Sequence, residues 1–198
     1  MFNHQSQIIS KGAFRRMLVL VAALGLSSAA ASAADDANPV YASWAKCKAG
    51  TSVRAVTEAD AMGQKSKIEV TTTLVEVAKD KVTVEVKTAI EAGGQKMEQP
   101  GTKMEIAAAG GGAATGPGTG SASAPGSDVK QSDEDVTIAG KAYKCHVVEA
   151  NAKTGTVATH SKTYTSADVP GYVVKMDAST DGQFKSHTVT QVVEISVK

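Results

Sequence analysis

Two cysteines, three of the four histidines and a group of acidic residues are the side chains of this sequence with the most reactive chemistry. The cysteines are Cys47 and Cys145. An even number of cysteines in an exported chain favours a disulfide, and we predict one between these two residues. Two buried thiols are the alternative. A redox-active pair is disfavoured because the sequence has no Cys-x-x-Cys spacing that would lower a thiol pKa.

The histidines are expected to be solvated residues of β-strands rather than metal ligands. Cys145 and His146 are adjacent in a predicted strand, so their side chains point to opposite faces and do not readily share one zinc ion. The same interpretation is given to His160 and His187.

The acidic residues follow a glycine-rich stretch and are Asp128, Asp133, Glu134 and Asp135. They could bind calcium, but they lack the loop glycine and the distal bidentate acid of an EF-hand, so an acidic solvated segment is expected. No Gly-x-Ser-x-Gly elbow occurs either. We therefore predict no catalytic residues, no metal site, no cofactor and no enzyme activity.

The residues that must position these groups are dominated by valine and threonine, whose branching favours strands. Val82, Val84 and Val86 alternate with polar residues. Alternation from Ile68 to Leu74 is followed by a change of parity at Val75, which predicts a β-bulge. With the Gly-containing turns between the runs, the pattern predicts about nine long strands near residues 51–59, 64–78, 81–91, 95–106, 133–139, 141–151, 156–166, 171–180 and 183–197.

Short connections predict that neighbouring strands pair antiparallel. Long antiparallel strands twist and coil, so the predicted fold class is mainly β: a curved meander resembling a half-barrel or barrel. One short helix is predicted over residues 39–47, with Asn38 as N-cap and Pro39 at the first helical position. Trp44 on this helix is interpreted as part of a plug over one end of the core; ligand stacking is the alternative.

The N-terminal residues resemble an export signal. Lys11, Arg15 and Arg16 precede an apolar run of ten residues, 17–26, and Ala31-Ser32-Ala33 offers a cleavage site. The run is shorter than the about 20 residues that span a bilayer, so no transmembrane anchor is expected after cleavage. We predict a signal peptide over residues 1–33 and a periplasmic or secreted location.

Residues 34–198 are predicted to form one β-rich domain with a flexible insertion at 107–127, which consists almost entirely of Gly, Ala, Ser, Thr and Pro. The full chain has a formal net charge of +1, and three of its cations lie in the predicted signal. This near-balance argues against nucleic acid as a partner, because phosphate binding requires a basic excess. Aromatic residues make up only 4% of the chain, which predicts a thin core of aliphatic side chains.

Three segments carry a resemblance to known proteins: Trp44 near the predicted mature start, Gly140–Cys145 and Ser166–Gly171. They resemble small secreted bacterial proteins, planctomycete-like in type, whose function is uncharacterised. The long-stranded meander with a helix is similar to the lipoprotein-carrier (LolA/LolB-like) half-barrels. That similarity implies a curved sheet whose concave apolar face holds acyl chains.

Two functions follow as expectations. In the first, the sheet binds a lipid or other apolar ligand on its concave face, for which Val84, Met97, Met104, Val174 and Met176 are the candidate residues. In the second, the protein is a structural or protein-interaction module of the cell envelope with a solid core, and its edge strands pair with an envelope protein.

Overall fold

The computed structural model describes residues 38–109 and 128–198, which belong to one compact unit. The predicted signal peptide and residues 110–127 of the predicted insertion lie outside the described residues. Within them the protein is mainly β: nine antiparallel strands form one open, curled sheet, accompanied by one short helix, α1 (Pro39–Ala45). The strands are β1 (Ser52–Ala61), β2 (Gln64–Val77), β3 (Lys81–Ala92), β4 (Gln95–Ala107), β5 (Asp128–Ile138), β6 (Lys141–Thr154), β7 (Val157–Thr165), β8 (Val173–Asp181) and β9 (Ser186–Ser196).

The strand order is β4-β3-β2-β1-β9-β8-β7-β6-β5. Consecutive strands pair as expected for a meander, with one exception: β4 does not pair with β5. These two strands form the two edges of the sheet, while the first and last strands pair at its centre. The stretch between Ala107 and Asp128 therefore connects the two edges rather than two neighbouring strands.

Helix α1 begins where the sequence indicates. Asn38 Oδ1 accepts hydrogen bonds from the backbone N–H groups of Val40 (3.0 Å) and Tyr41 (3.4 Å), and Pro39 occupies the first turn. The predicted bulge is also present, because the β2–β3 register shifts between Leu74 and Glu76. The connection between β8, which ends at Asp181, and β9, which begins at Ser186, is a loop over residues 182–185 rather than a two-residue hairpin turn.

The buried side chains are gathered at one end of the sheet. We call this the helix end, because α1 lies there, and the opposite end, where four hairpins turn, the tip end. Trp44 of α1 is only 2% exposed, as expected of a plug over one end of the core. The buried apolar residues of the strands are Val53, Leu74, Val82, Val84, Ile138, Tyr143, Cys145, Val147, Tyr164, Val174 and Val192.

The small size of α1 explains this one-ended core. Seven residues make a helix about 10 Å long, whereas nine strands spaced about 4.8 Å apart make a sheet about 38 Å wide. In the half of the sheet nearest the tips, every described strand residue is half-buried or exposed on both faces. The described residues therefore cover the sheet at its helix end and leave its tip half open.

Candidate functional site

The strand register sorts the side chains of the tip half into two chemically different faces. Residues directly opposite each other in an antiparallel pair lie on the same face, so the register can be followed across the whole sheet. One continuous row takes one residue from each strand, in the order Met97, Ile90, Ile68, Thr57, Thr190, Met176, Thr163, Val148 and Gln131. This row defines what we call the uncharged face.

The neighbouring row on the same face is equally free of charge. It runs Gln95, Ala92, Ser66, Ala59, Thr188, Ala178, Ser161, Ala150 and Val129. Neither row contains Asp, Glu, Lys or Arg. The solvent-exposed face of a β-sheet is normally rich in such residues. The composition of this face is therefore that of a buried surface, although no described residue covers it.

The polar groups of the uncharged face are mostly hydroxyls that can satisfy one another. Thr57 Oγ1 and Thr190 Oγ1 lie 2.9 Å apart at the centre of the first row, joined by a hydrogen bond in which either hydroxyl can donate. A threonine whose hydroxyl is paired in this way leaves its methyl group for other contacts. The face is therefore less polar than its threonine content suggests.

The opposite side of the same strands, the charged face, carries ion pairs between neighbouring strands. Arg54 Nη2 lies 3.0 Å from Glu194 Oε2, and His187 Nε2 lies 2.9 Å from Asp177 Oδ1. Lys162 Nζ donates to Glu134 Oε1 at 2.7 Å, and this hydrogen bond raises the pKa of Lys162. In the tip half, the charged face thus has the chemistry of a solvated β-surface. At the helix end of β6 and β7 the same face holds the buried residues Cys145, Val147 and Tyr164.

The five apolar residues predicted from the sequence are brought to one face but differ in exposure. Val84 pairs directly with Met104, Met97 and Met176 share the first row, and Val174 lies two residues before Met176. Val84 and Val174 are core residues, 2% and 1% exposed, whereas Met97 is 44% exposed, Met104 is 38% exposed and Met176 is half-buried. Only the three methionines are therefore accessible to a ligand.

Accessible residues that sequence reasoning did not select complete the row. Ile68 and Ile90 face each other across β2 and β3. Their alternation with Glu69 and Glu91 was a usable signal, because it places both isoleucines on the face that excludes charge.

The predicted disulfide between Cys47 and Cys145 is not formed in the structure, and both thiols are free. Each points to a carbonyl of its own segment: Cys47 Sγ lies 3.6 Å from Ser43 O, and Cys145 Sγ lies 3.6 Å from Tyr143 O. Burial raises the pKa of both thiols, and for Cys47 the charge of Lys46 partly opposes the effect.

The three histidines within the described residues are found on strand surfaces, each next to a polar neighbour. His146 is exposed with its Nδ1 atom 3.3 Å from Asp133 Oδ1, while the adjacent Cys145 is buried on the other face, as the alternation predicts. His160 Nδ1 donates to Asn151 Oδ1 at 2.7 Å. The His160 side chain borders an open concavity of about 430 Å³ on the charged face.

The four acidic residues lie on the exposed edge strand β5. Within residues 38–109 and 128–198, no group of three or more His, Cys, Asp or Glu side chains is arranged to hold a metal ion. In the same part of the chain, no helix has the length and apolar character needed to cross a membrane.

The fold and the uncharged face together define a protein built as an open antiparallel β-sheet with a one-ended core. No model of a known protein family matches the chain, and no curated protein matches it. The resemblance to planctomycete-like secreted proteins is therefore not shown.

Solved structures that are similar to the chain include two bacterial proteins. The first is a candidate outer membrane lipoprotein-sorting protein domain from Vibrio parahaemolyticus, with 9% sequence identity, a TM-score of 0.26, and coverage of 75% of this chain and 86% of that chain. The second is a DUF1329 family protein from Desulfovibrio piger, with 9% identity, a TM-score of 0.18, and coverage of 76% and 87%. At these TM-scores neither structure carries an argument about function.

Proposed function

We propose that this protein is an exported, non-enzymatic carrier that holds an apolar ligand, such as the acyl chain of a lipid, against its uncharged face. The observation that supports the proposal most strongly is the nine-residue row without a single charge, which no described residue covers. Contiguous exposed surface of this composition is typical of ligand or partner sites. A periplasmic or secreted location is part of the same proposal.

The composition of the row favours a flexible aliphatic ligand. Met97 and Met176 have unbranched, polarizable side chains that adapt to irregular apolar shapes. The row contains no lysine or arginine that could pair with a carboxylate or a phosphate. The ligand's hydrocarbon part is therefore the part that lies against the sheet, and any charged headgroup lies beyond it.

The test uses two neighbouring residues of β3 that point to opposite faces. Ile90 belongs to the uncharged face and Ala89 to the charged face, and both are half-buried. Ile90→Glu places a carboxylate where the hydrocarbon would lie, whereas Ala89→Glu adds the same charge on the other side of the same strand. Protein purified from the exported fraction is delipidated and titrated with a dansylated fatty acid, and the unfolding midpoint of each variant is measured in parallel.

Ile90→Glu is expected to weaken binding of the probe at least about tenfold, which corresponds to 1.4 kcal/mol. Ala89→Glu is expected to bind as the wild type does. Equal binding by both variants, or no binding by the folded wild type, would contradict the proposal. Native mass spectrometry of the exported protein before delipidation supplies a second readout, because a bare protein mass would favour the structural or protein-interaction role instead.

A further inference from the structure

Three neighbouring hairpins at the tip end each present an apolar side chain to solvent. Met62 in the β1–β2 turn is 71% exposed, and Phe184 in the β8–β9 loop is 62% exposed. Val157, the first residue of β7, is 37% exposed beside the β6–β7 turn. We call these three residues the tip cluster. The remaining hairpin, β3–β4, turns through Gly93 and Gly94 and carries no large apolar residue at its turn.

The central pairing of β1 with β9 brings these hairpins together. Ala61, the last residue of β1, pairs with Ser186, the first residue of β9, and Met62 N donates to Lys185 O at 3.2 Å. On the other side of the β8–β9 loop, a Cβ atom placed on Gly182 would lie 3.2 Å from Val157 Cγ2. The three tips are thus adjacent in space although they are distant in sequence.

Met62 stands in a backbone conformation that methionine rarely adopts. Its φ is 56°, followed by 79° at Gly63, so both central residues of the two-residue turn have positive φ. Such turns favour Asn, Asp or Gly at the first position. A methionine there strains the backbone and also exposes an apolar side chain to water. A residue that combines a strained backbone with an exposed apolar side chain is a candidate for a functional role.

The exposed position of Phe184 also indicates a functional role. The chain has three phenylalanines, and Phe184 is the one that lies within the described residues. An aromatic ring contributes more buried area than any aliphatic side chain of this chain's core. The fold nevertheless places it at an exposed tip, beside Met62.

We propose that the tip cluster inserts into the surface of a lipid bilayer. Three side chains at hairpin ends provide far less than the about 800 Å² per partner of a stable protein interface. Shallow insertion of a few apolar side chains is sufficient for reversible binding at the headgroup region. This inference goes beyond the proposed ligand site and does not depend on it.

The charges around the tip cluster are mixed in sign. Lys65, Lys153 and Lys185 are the cations, and Asp60 and Asp181 offset two of them; Lys185 Nζ lies 3.3 Å from Asp181 Oδ1, and Asp60 Oδ1 accepts from Gly63 N at 3.1 Å. Membrane binding driven by the tip cluster therefore does not require anionic lipid, and added salt weakens it little.

The test is flotation of the full protein with phosphatidylcholine vesicles. Met62→Asn is the informative variant, because asparagine suits positive φ and keeps the turn while removing the apolar side chain. Met62→Asn and Phe184→Ser are each expected to lower the bound fraction several-fold, and the double variant to abolish binding. Met62→Asn is expected to keep or raise the unfolding midpoint, which a purely structural role of Met62 does not predict.

Val197→Ser is the matched control, since Val197 is also 71% exposed but follows β9 at the helix end. It is expected to bind vesicles as the wild type does. Wild-type protein that does not float with the vesicles, a double variant that still floats, or binding that appears only with anionic lipid and disappears in salt would each overturn the inference. Wild-type protein that floats with the vesicles but does not bind the dansylated fatty acid would overturn the proposed carrier function alone.

Discussion

The helix end and the tip end of this sheet are built from the same strands but differ in how far their apolar side chains are buried. At the helix end, Trp44 and α1 lie over Leu74, Val82 and Val84, and the apolar side chains are removed from water. At the tip end, the same face continues along β2, β3 and β8 with Ile68, Ile90 and Met176 left accessible. Along β2 and β3 the alternation of apolar and polar residues is similar at the two ends, so in these strands the difference in burial arises from what lies above the sheet.

The comparison shows that the side chains that stabilise the fold and the side chains that can contact a ligand lie at different ends of the strands. A side chain closed under α1 contributes to the free energy of folding, because its surface is withdrawn from water in the native state. A side chain of the same type in the tip half contributes little to folding and remains free to contact another molecule. Substitutions should therefore divide into two classes according to the end at which they are made.

The largest expected effect is a cavity at the helix end. Leu74→Ala should lower the free energy of unfolding by about 2–5 kcal/mol, because it removes buried apolar atoms and leaves a cavity in the core. Ile68→Ala, on the same strand and face but half-buried in the tip half, should cost about 1 kcal/mol. Urea unfolding of both variants measures the difference. Equal losses would mean that the tip half is covered in solution and would break the comparison.

A smaller effect is expected where α1 is attached to the sheet. Asn38 caps the helix with Oδ1, and its Nδ2 atom donates to Ala107 O of the edge strand β4 at 3.0 Å. Asn38→Ala should lower the free energy of unfolding by about 1 kcal/mol. Asn38→Asp keeps the capping oxygen but loses the donor to β4, so it should cost less than the alanine variant. A greater loss in Asn38→Asp would show that the link to β4 matters more than the cap.

The smallest effect on stability is expected in the last experiment, chemical labelling of the two thiols, whose labelling rates report on their burial. Cys145 is buried, and burial raises its pKa, so the neutral thiol dominates at neutral pH and reacts slowly with maleimide. Cys47 is half-buried and should react faster. Mass spectrometry after labelling in buffer and then in urea without reductant distinguishes the possibilities. Labelling of both residues in urea would show free thiols, whereas labelling of neither would establish the disulfide that the cysteine count predicts.

Much of the local structure could be predicted because it depends on near neighbours. Valine and threonine alternation placed nine strands to within a few residues, except that β5 begins five residues earlier than expected, at Asp128. The parity change at Val75 revealed the bulge, and Asn38-Pro39 revealed the start of the helix. Each of these features is set by backbone preferences and short-range hydrogen bonds that a few adjacent residues determine.

The candidate site could be predicted only in part. The sequence selected Val84, Met97, Met104, Val174 and Met176 as apolar candidates, and the register places them on one face. Met97 and Met104 are seven residues apart on β4, which strict alternation would put on opposite faces, and the register shift between Val86 and Thr88 brings them to the same face. Which of them are accessible could not be predicted, because accessibility depends on the position of α1, seven residues long, over a sheet nine strands wide. Val84 and Met104 are paired neighbours, yet one is core and the other is exposed.

By itself, the sequence determined the strands, their turns and the chemistry of each strand face, since side chains two residues apart share a face whatever the strand pairs with. Only the tertiary structure decided that β1 pairs with β9, that β4 and β5 are edges, and that Met62, Val157 and Phe184 meet at one end. Pairing between the first and last strands depends on the free energy of closing the whole chain, which no local pattern contains. Both the uncharged face and the tip cluster result from the pairing of β1 with β9.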